Sequence, residues 1–494
     1  MSTLQKLKEK YIWISHFSSA FELLQWDMET HMPKKGGKWR AQIIGSLSEF
    51  IQAQQTSDEM GKLLSEAEKE AESEEDKALV RVAKKEYEKF KKIPPELWGK
   101  FALETAKAQR IWEDAKRNSD FSIFAPQLEK IVEIVKELAE RVGYEENRYD
   151  ALLDFFEPGL TVKDLDKIIP KLRKFLIDVL EKIENAHKPK DAFLGKFDIQ
   201  KQKELSKRVL EIIGYDFDAG RIDVSAHPFT ITISHGDVRV TTRYDENDLK
   251  YSFFSTVHEG GHALYEQGIP ERFRGLPIGD GASMGIHESQ SRFWENIVAR
   301  SKHFWEFFKP ILSEYFEDFK DVPVDELWRS SNIVERSLIR TESDEVTYNL
   351  HIMLRYEIEK ALVNDEMSVK DIPSVWNDKM KEYIGVIPKS DSEGALQDVH
   401  WAHGSFGYFP SYMMGNLYAA QLLYSMKKDL SFEENVRSGN FKALLDWLRE
   451  KIHIHGKIFE PKDLMKRATG EDFSTEYFMN YIKEKYSEVY RINL

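Results

Sequence analysis

Along the first two hundred residues, apolar positions recur every three or four residues, the period of a helix with one buried face. This pattern predicts helices over 3–29 and 36–54, separated at Met32-Pro33 and Gly36-Gly37. Residues 57–92 are heavily charged with sparse apolar positions and read as solvent-exposed helices, a solvated hairpin without a functional role. Ile93-Pro94-Pro95 starts a further helix, and 123–143 gives another that ends at Gly143. Thr161-Val162-Lys163-Asp164 has the form of a capping box, and Pro170 is expected to kink the following helix or end its first part. A last helix in this half runs to about Ile213 and stops at Gly214.

The period then changes from helical to alternating. Phe229-Thr230-Ile231-Thr232-Ile233-Ser234 and Asp237-Val238-Arg239-Val240-Thr241 flank His235-Gly236, which fits a two-residue hairpin turn. That turn sets Ile231 opposite Val240, Ile233 opposite Val238, Thr232 opposite Arg239 and Thr230 opposite Thr241. A small sheet just before a helix offers an edge that can pair with an extended peptide. From 283 onward the pattern is helical again, interrupted by glycine-rich stretches at 275–285 and 404–415. The expected fold is mainly α with one small hairpin or sheet. It reads as a single domain over 1–494 with a helical lobe at 1–225 and a second lobe at 226–494.

Composition narrows the function. The 494 residues are 41% hydrophobic, ample for a core, and contain no cysteine. Disulfides, thiolate metal sites and cysteine nucleophiles are excluded, so a metal would have to be held by His and carboxylate. A net charge of -14 argues against a nucleic-acid partner. No membrane-spanning run or leader pattern is legible, and the expected location is the cytoplasm. Charged residues make up 32%, dominated by Lys and Glu, a composition common in heat-adapted proteins.

The segment Val257-His258-Glu259-Gly260-Gly261-His262-Ala263 matches His-Glu-x-x-His, with N-cap candidates at Asp245–Asp248 and a stop at Gly268 before Pro270. Imidazoles at i and i+4 share one helix face and can reach one ion, with Glu259 beside them to deprotonate water. Gly260 and Gly261 cost about 1 kcal/mol each inside a helix, which points to something approaching the backbone closely, a substrate or a strand. A third ligand should lie downstream, and Gly285-Ile286-His287-Glu288-Ser289-Gln290-Ser291-Arg292 offers Glu288, with His287 and Glu295 as rivals.

Six motifs in order resemble the M32 carboxypeptidases, a family of zinc metallocarboxypeptidases. They are His227-Pro228-Phe229, Asp237-Val238-Arg239-Val240-Thr241, the His-Glu-x-x-His segment, His287-Glu288-Ser289-Gln290, Ile339-Arg340-Thr341-Glu342-Ser343-Asp344 and Gly394-Ala395-Leu396-Gln397-Asp398-Val399-His400-Trp401. Trp26-Asp27-x-x-Thr30-x-Met32-Pro33 also matches, so the resemblance spans nearly the whole chain. It implies a large helical zincin (gluzincin) fold with a deep groove, similar to neurolysin and angiotensin-converting enzyme, and a homodimer. It also implies removal of C-terminal residues from peptides with broad specificity, proline excepted. It selects His258, His262 and Glu288 as zinc ligands and Glu259 as base. Cobalt is the expected substitute for zinc.

Acyl transfer at a peptide bond also needs a donor to the oxyanion. Tyr408 and Tyr412 are the candidates, in a loop read over 403–412, with His400 or His403 near them. Recognition of a free terminal carboxylate calls for an arginine fork. Arg340 and Arg239 lie in matching motifs, as do His227, Asp237 and Gln397, and with His403 these complete the substrate-binding candidates. The structural alternatives are an Arg340–Asp344 helical ion pair and an Arg239–Asp237 pair that serves the hairpin. His453, His455 and the isolated His16, His31, His187, His303 and His351 suggest no site. The competing functions are an internal-cutting oligopeptidase of the same fold and a non-catalytic helical protein with a structural metal.

Overall fold

Local signals set most of the helix ends. Thr161 and Asp164 form the capping box that opens Val162–Glu184, and that helix runs through Pro170 without ending there. Gly143 and Gly214, at φ of 93° and 100°, close Phe121–Val142 and Ile199–Ile213. The first helices are Thr3–Thr30 and Gly37–Gln55, close to the predicted spans. The structure, a computed structural model, describes residues 1–494. Twenty α-helices and one three-stranded sheet make up its regular structure, so the chain is mainly helical as its periodicity predicts. No helix is long and apolar enough to cross a membrane.

The chain forms two compact units, each built from three segments. One comprises Met1–Phe90, Lys190–Ser331 and Tyr418–Phe473; the other comprises Lys91–Pro189, Asn332–Leu417 and Ser474–Leu494. These units differ from the lobes expected on either side of residue 225. Hydrogen bonds between distant segments explain why. In the second unit Tyr149 donates to Glu359 at 2.5 Å, and Asp166 accepts from Tyr356 and Lys360 at 2.8 Å each. Residues 91–189 thereby belong with 332–417.

In the first unit the charged stretch 57–92 is not a solvated hairpin. It forms Asp58–Glu70 and Glu74–Lys91, whose Met60, Leu64, Ala67, Val80 and Ala83 pack with Leu7, Tyr11 and Ile14 of the first helix in one buried cluster. The apolar positions are few but fall on single faces, which is enough to bury them. Gly37–Gln55 is the contrast: it buries no residue and leaves Trp39 71% exposed.

The sheet runs in the order β1 (Ile222–Val224), β3 (Asp237–Thr242), β2 (Thr230–Ser234), with β1 parallel and β2 antiparallel to β3. The predicted turn is present, with Ser234 opposite Asp237 and Gly236 at φ 83°. The predicted register is not. A bulge between Thr232 and Ser234 pairs Thr230 with Val240, Ile231 with Arg239 and Thr232 with Val238. One extra residue exchanges the two faces of β2 beyond the bulge. Thr230 thus shares a face with the buried Val240, and both β2 and β3 pack against the helix Leu249–Gly268.

Candidate metal centre and active site

The helix Leu249–Gly268 is capped by Asp248, whose carboxylate accepts from Tyr251 N, and it carries His258, Glu259 and His262. Its two glycines admit neighbouring helices rather than a substrate or a strand. A Cβ on Gly261 would stand 2.6 Å from Ser291 Cα and 2.7 Å from Gln290 O, and one on Gly260 would stand 2.6 Å from Leu210 Cδ2. Gly261 therefore lets the helix Met284–Arg292, capped by Ser283, lie backbone-close beside the histidines. Glu288 is delivered to them by that approach.

His258, His262 and Glu288 converge, with one donor atom of each lying within 4.8 Å of the others. Glu288 Oε2 is 3.6 Å from His258 Nε2 and 3.3 Å from His262 Nε2. The second nitrogens face outward into hydrogen bonds. His258 Nδ1 lies 3.0 Å from Glu295 Oε2, and His262 Nδ1 lies 2.6 Å from His287 Nδ1. Two imidazoles and a carboxylate, with their outer nitrogens already occupied, are a donor set that fits a catalytic zinc or similar divalent ion. Glu295 and His287, the rivals for the third position, turn out to be partners of the histidines.

Glu288 is 4% exposed; its Oε1 accepts from Arg292 Nε at 2.7 Å and its Oε2 from Ser291 Oγ at 3.0 Å. Arg292 also reaches Glu295, which accepts from Arg300 Nη2 at 3.0 Å as well. Burial opposes ionisation of Glu288 and Glu295, but Arg292 and the neighbouring histidines outweigh it and hold both well below the usual carboxylate range. Burial lowers His262 to about 3, the neutral form a metal ligand needs. For His258 burial acts in the same direction, but Glu288 and Glu295 outweigh it and raise the imidazole.

Glu259 is 7% exposed, and the Thr230 hydroxyl lies 2.7 Å from its Oε2. Burial raises its carboxyl, opposed by His258 and by the Thr230 hydrogen bond. A buried carboxylate with a raised proton affinity and one fixed donor suits a general base.

In the second unit the alternative helical pair Arg340–Asp344 is absent. Asp344 accepts from the N–H groups of Glu335, Val346 and Thr347, whereas Arg340 Nε and Nη2 both donate to Asp398 Oδ1, at 3.0 and 2.8 Å. Arg355, fully buried, donates to Asp398 Oδ2 at 2.7 Å. Burial alone would raise Asp398; the two guanidiniums outweigh it and hold it far below the carboxylate range. Gln397 is saturated: its Oε1 accepts from Arg340 N and Arg355 Nη2, and its Nε2 faces Leu338 O and Glu393 O.

Tyr412 lies in the first turn of the helix Phe409–Asp429, not in a loop, and Tyr408 directly precedes that helix. Tyr412 Oη is 3.2 Å from His400 Nε2, and the Tyr408 and Tyr412 rings meet edge to face at 5.0 Å. Burial lowers His400 to about 3. The Arg340 guanidinium sits 5.0 Å from the Tyr412 ring centroid. His403 is exposed. The glycines of this stretch answer packing demands: a Cβ on Gly407 would stand 2.6 Å from Leu152 C.

Arg239 is paired with Asp237 through two bonds of 2.7 Å and lies 4.2 Å over the Trp26 ring. The early Trp-Asp motif and the hairpin motif are thus one structural unit. Thr241 Oγ1 accepts from Phe229 N at 3.0 Å and Ser225 Oγ donates to His227 O, so the hairpin also holds the His227-Pro228-Phe229 turn, where His227 is exposed. The periodicity gave no hint of the contacts made by Thr230, Arg292, Arg355 or Glu359; only the i+4 spacing of Glu288 and Arg292 was available as a signal.

A family model described as carboxypeptidase Taq (M32) metallopeptidase matches residues 6–486. The chain belongs to the M32 metallopeptidase family. It is 48% identical over 483 residues to carboxypeptidase 1 of Bacillus subtilis, covering 97% of this chain and 96% of that one. Thermostable carboxypeptidase 1 of Pyrococcus furiosus is 43% identical over 490 residues, with 98% of each chain covered. Among solved structures, the M32 carboxypeptidase from Deinococcus radiodurans superposes with a TM-score of 0.96 at 34% identity, over 99% of this chain and 100% of that one. This M32 chain is therefore a metallocarboxypeptidase, and its family requires a divalent metal.

Proposed function

We propose that the chain hydrolyses the C-terminal peptide bond of peptides, with broad side-chain tolerance and with proline excluded, using zinc held by His258 Nε2, His262 Nε2 and Glu288. The convergence of those three side chains next to the buried Glu259 is the observation that carries this reading. When bound, the ion supplies Lewis acidity that acidifies water and polarises the scissile carbonyl; cobalt would serve in its place. Glu259 takes the proton of the attacking water and returns it to the leaving amine. Thr230 orients its carboxylate and biases its proton affinity. Tyr408 and Tyr412 donate to the developing oxyanion, with His400 fixing the Tyr412 hydroxyl.

Arg340 is the proposed receptor for the terminal carboxylate. Three of its five N–H groups are taken, two by Asp398 and one by Tyr348, which leaves two for a ligand. Arg239 is the weaker candidate because its in-plane fork is spent on Asp237 and its face on Trp26. In the same reading His227 and His403, both exposed, contact substrate, while Asp237 and Gln397 act by holding the arginines. The enzyme is proposed to work in the cytoplasm as a homodimer. The helix Gly37–Gln55, with Trp39 largely exposed and Ile43 and Phe50 also on the surface, is an apolar face that a second copy would cover.

The decisive experiment compares peptides differing only in a free or amidated C-terminus. The carboxypeptidase reading expects kcat/KM to fall by at least about 100-fold on amidation, the worth of a bidentate charged contact. Equal rates on both would indicate an internal-cutting enzyme.

A further inference from the structure

We infer that His287 and Glu266 form a relay that fixes the tautomer of His262 and so sets the affinity of the metal site from two residues away. This rests on the proposed role of His258, His262 and Glu288 as ligands. His262 Nδ1 and His287 Nδ1 are 2.6 Å apart, a separation that holds one proton and no more. If His262 presents its Nε2 lone pair inward, its proton sits on Nδ1 and is donated to His287 Nδ1. His287 then carries its own proton on Nε2, which faces Glu266 Oε1 at 2.8 Å. A carboxylate only accepts, so every bond in the chain runs in one direction, from His262 to His287 to Glu266.

The opposite arrangement fails at both ends. A proton on His287 Nδ1 would move that of His262 to Nε2, where it would block the lone pair facing Glu288. It would also turn a lone pair of His287 toward the Glu266 carboxylate. Glu266 thus selects the metal-competent tautomer of a histidine that it does not touch. The histidine His258 has a direct carboxylate partner in Glu295, so the two ligands are supported by different devices.

The surrounding packing is built for this. Glu266 lies one turn after His262 on the same helix, and His287 directly precedes Glu288, so each ligand-bearing helix contributes one member of the relay. Gly281 makes room for the ring, since a Cβ there would stand 2.9 Å from both His287 Cδ2 and Tyr265 Cε1. The His287 and Glu266 side chains are 19% and 12% exposed, shielded enough for the hydrogen bonds to persist.

The test is the affinity of the purified full chain for Zn2+, read by competition with a chromogenic chelator. His287→Phe keeps the ring but loses the acceptor, whereas His287→Asn puts an amide oxygen where Nδ1 stood. Phe should weaken Zn2+ binding by about 10- to 100-fold and Asn should recover most of the loss. Glu266→Leu against Glu266→Gln carries the same contrast in case the Phe variant does not fold: Leu loses the acceptor and Gln keeps it. Wild-type affinity in His287→Phe or Glu266→Leu, or equal losses within a pair, would overturn the relay. His262→Ala separates the two levels. Undiminished Zn2+ binding there removes the metal-site reading itself, while lost binding there together with a fully competent His287→Phe removes only the relay.

Discussion

The Thr230 hydroxyl lies 2.7 Å from Glu259 Oε2, and it does so because of one extra residue in β2. In an unbulged hairpin Thr230 would pair with Thr241. The bulge pairs it with Val240 instead and so places it on the face that packs against the helix of Glu259. A register slip of one residue is therefore what connects the hairpin to the proposed base.

Removing that contact should lower activity without removing metal. Thr230→Val preserves shape and loses a hydrogen bond to a charged acceptor, about 1.5 kcal/mol, so kcat/KM should fall about tenfold. Glu259→Gln should lose about a thousandfold in kcat while metal content stays at wild-type level. Steady-state kinetics paired with metal analysis checks both; undiminished turnover in Glu259→Gln would take the base role away from that residue.

Gly261→Ala should loosen the metal centre from behind. The new methyl would meet Ser291 Cα and Gln290 O, backbone atoms that move only with their helix. Overpacking of this kind costs about 1–3 kcal/mol and would shift Glu288 relative to the histidines. Lower thermal stability and weaker metal binding together are the expected outcome. A change in neither would mean that the two helices can separate freely.

Arg340→Lys keeps the positive charge beside Asp398 and loses the planar fork. Inhibition by a short free-acid peptide should weaken by about 30-fold or more, with little change for the corresponding amide. Parallel losses for acid and amide would assign Arg340 to the Asp398 network alone.

Stability should depend on pH through Glu359. This carboxyl is fully buried, and burial raises it from 4.5 to about 7 despite hydrogen bonds from Gly407 N, Tyr149 and Trp401. A raised carboxyl binds its proton more tightly in the folded state, so its stabilisation is complete below pH 4.5 and is lost as pH rises through about 7. The full span is about 3 kcal/mol. Denaturant unfolding of wild type against Glu359→Gln should show that pH dependence in the former and its reduction in the latter. Parallel profiles would be incompatible with it.

The helix caps, the metal-binding spacing and the hairpin turn were all legible because each depends on neighbours within about four residues. Asp248 caps and His258 and His262 share a face whatever the rest of the chain does. The charged stretch 57–92 was misread because sparse apolar positions reveal a buried face only once a partner, here the first helix, is known. The partner of Arg340 was not legible for a similar reason. Asp344 is near in sequence, but its carboxylate is taken by backbone N–H groups, and Asp398 arrives from another segment.

What the chain alone determined about this protein is the identity of its candidate reactive groups: two imidazoles one turn apart, a carboxylate beside them, and a motif set that belongs to one family of metallopeptidases. Choosing Glu288 over His287 and Glu295 by geometry required the tertiary structure, since all three lie within eight residues of one another. The structure separates them through the close helix approach at Gly261, which turns one carboxylate inward and leaves the other two side chains to hold the histidines from outside. Spacing along a helix is a local property, whereas a coordination shell is closed by atoms whose neighbourhood exists only after the helices have packed.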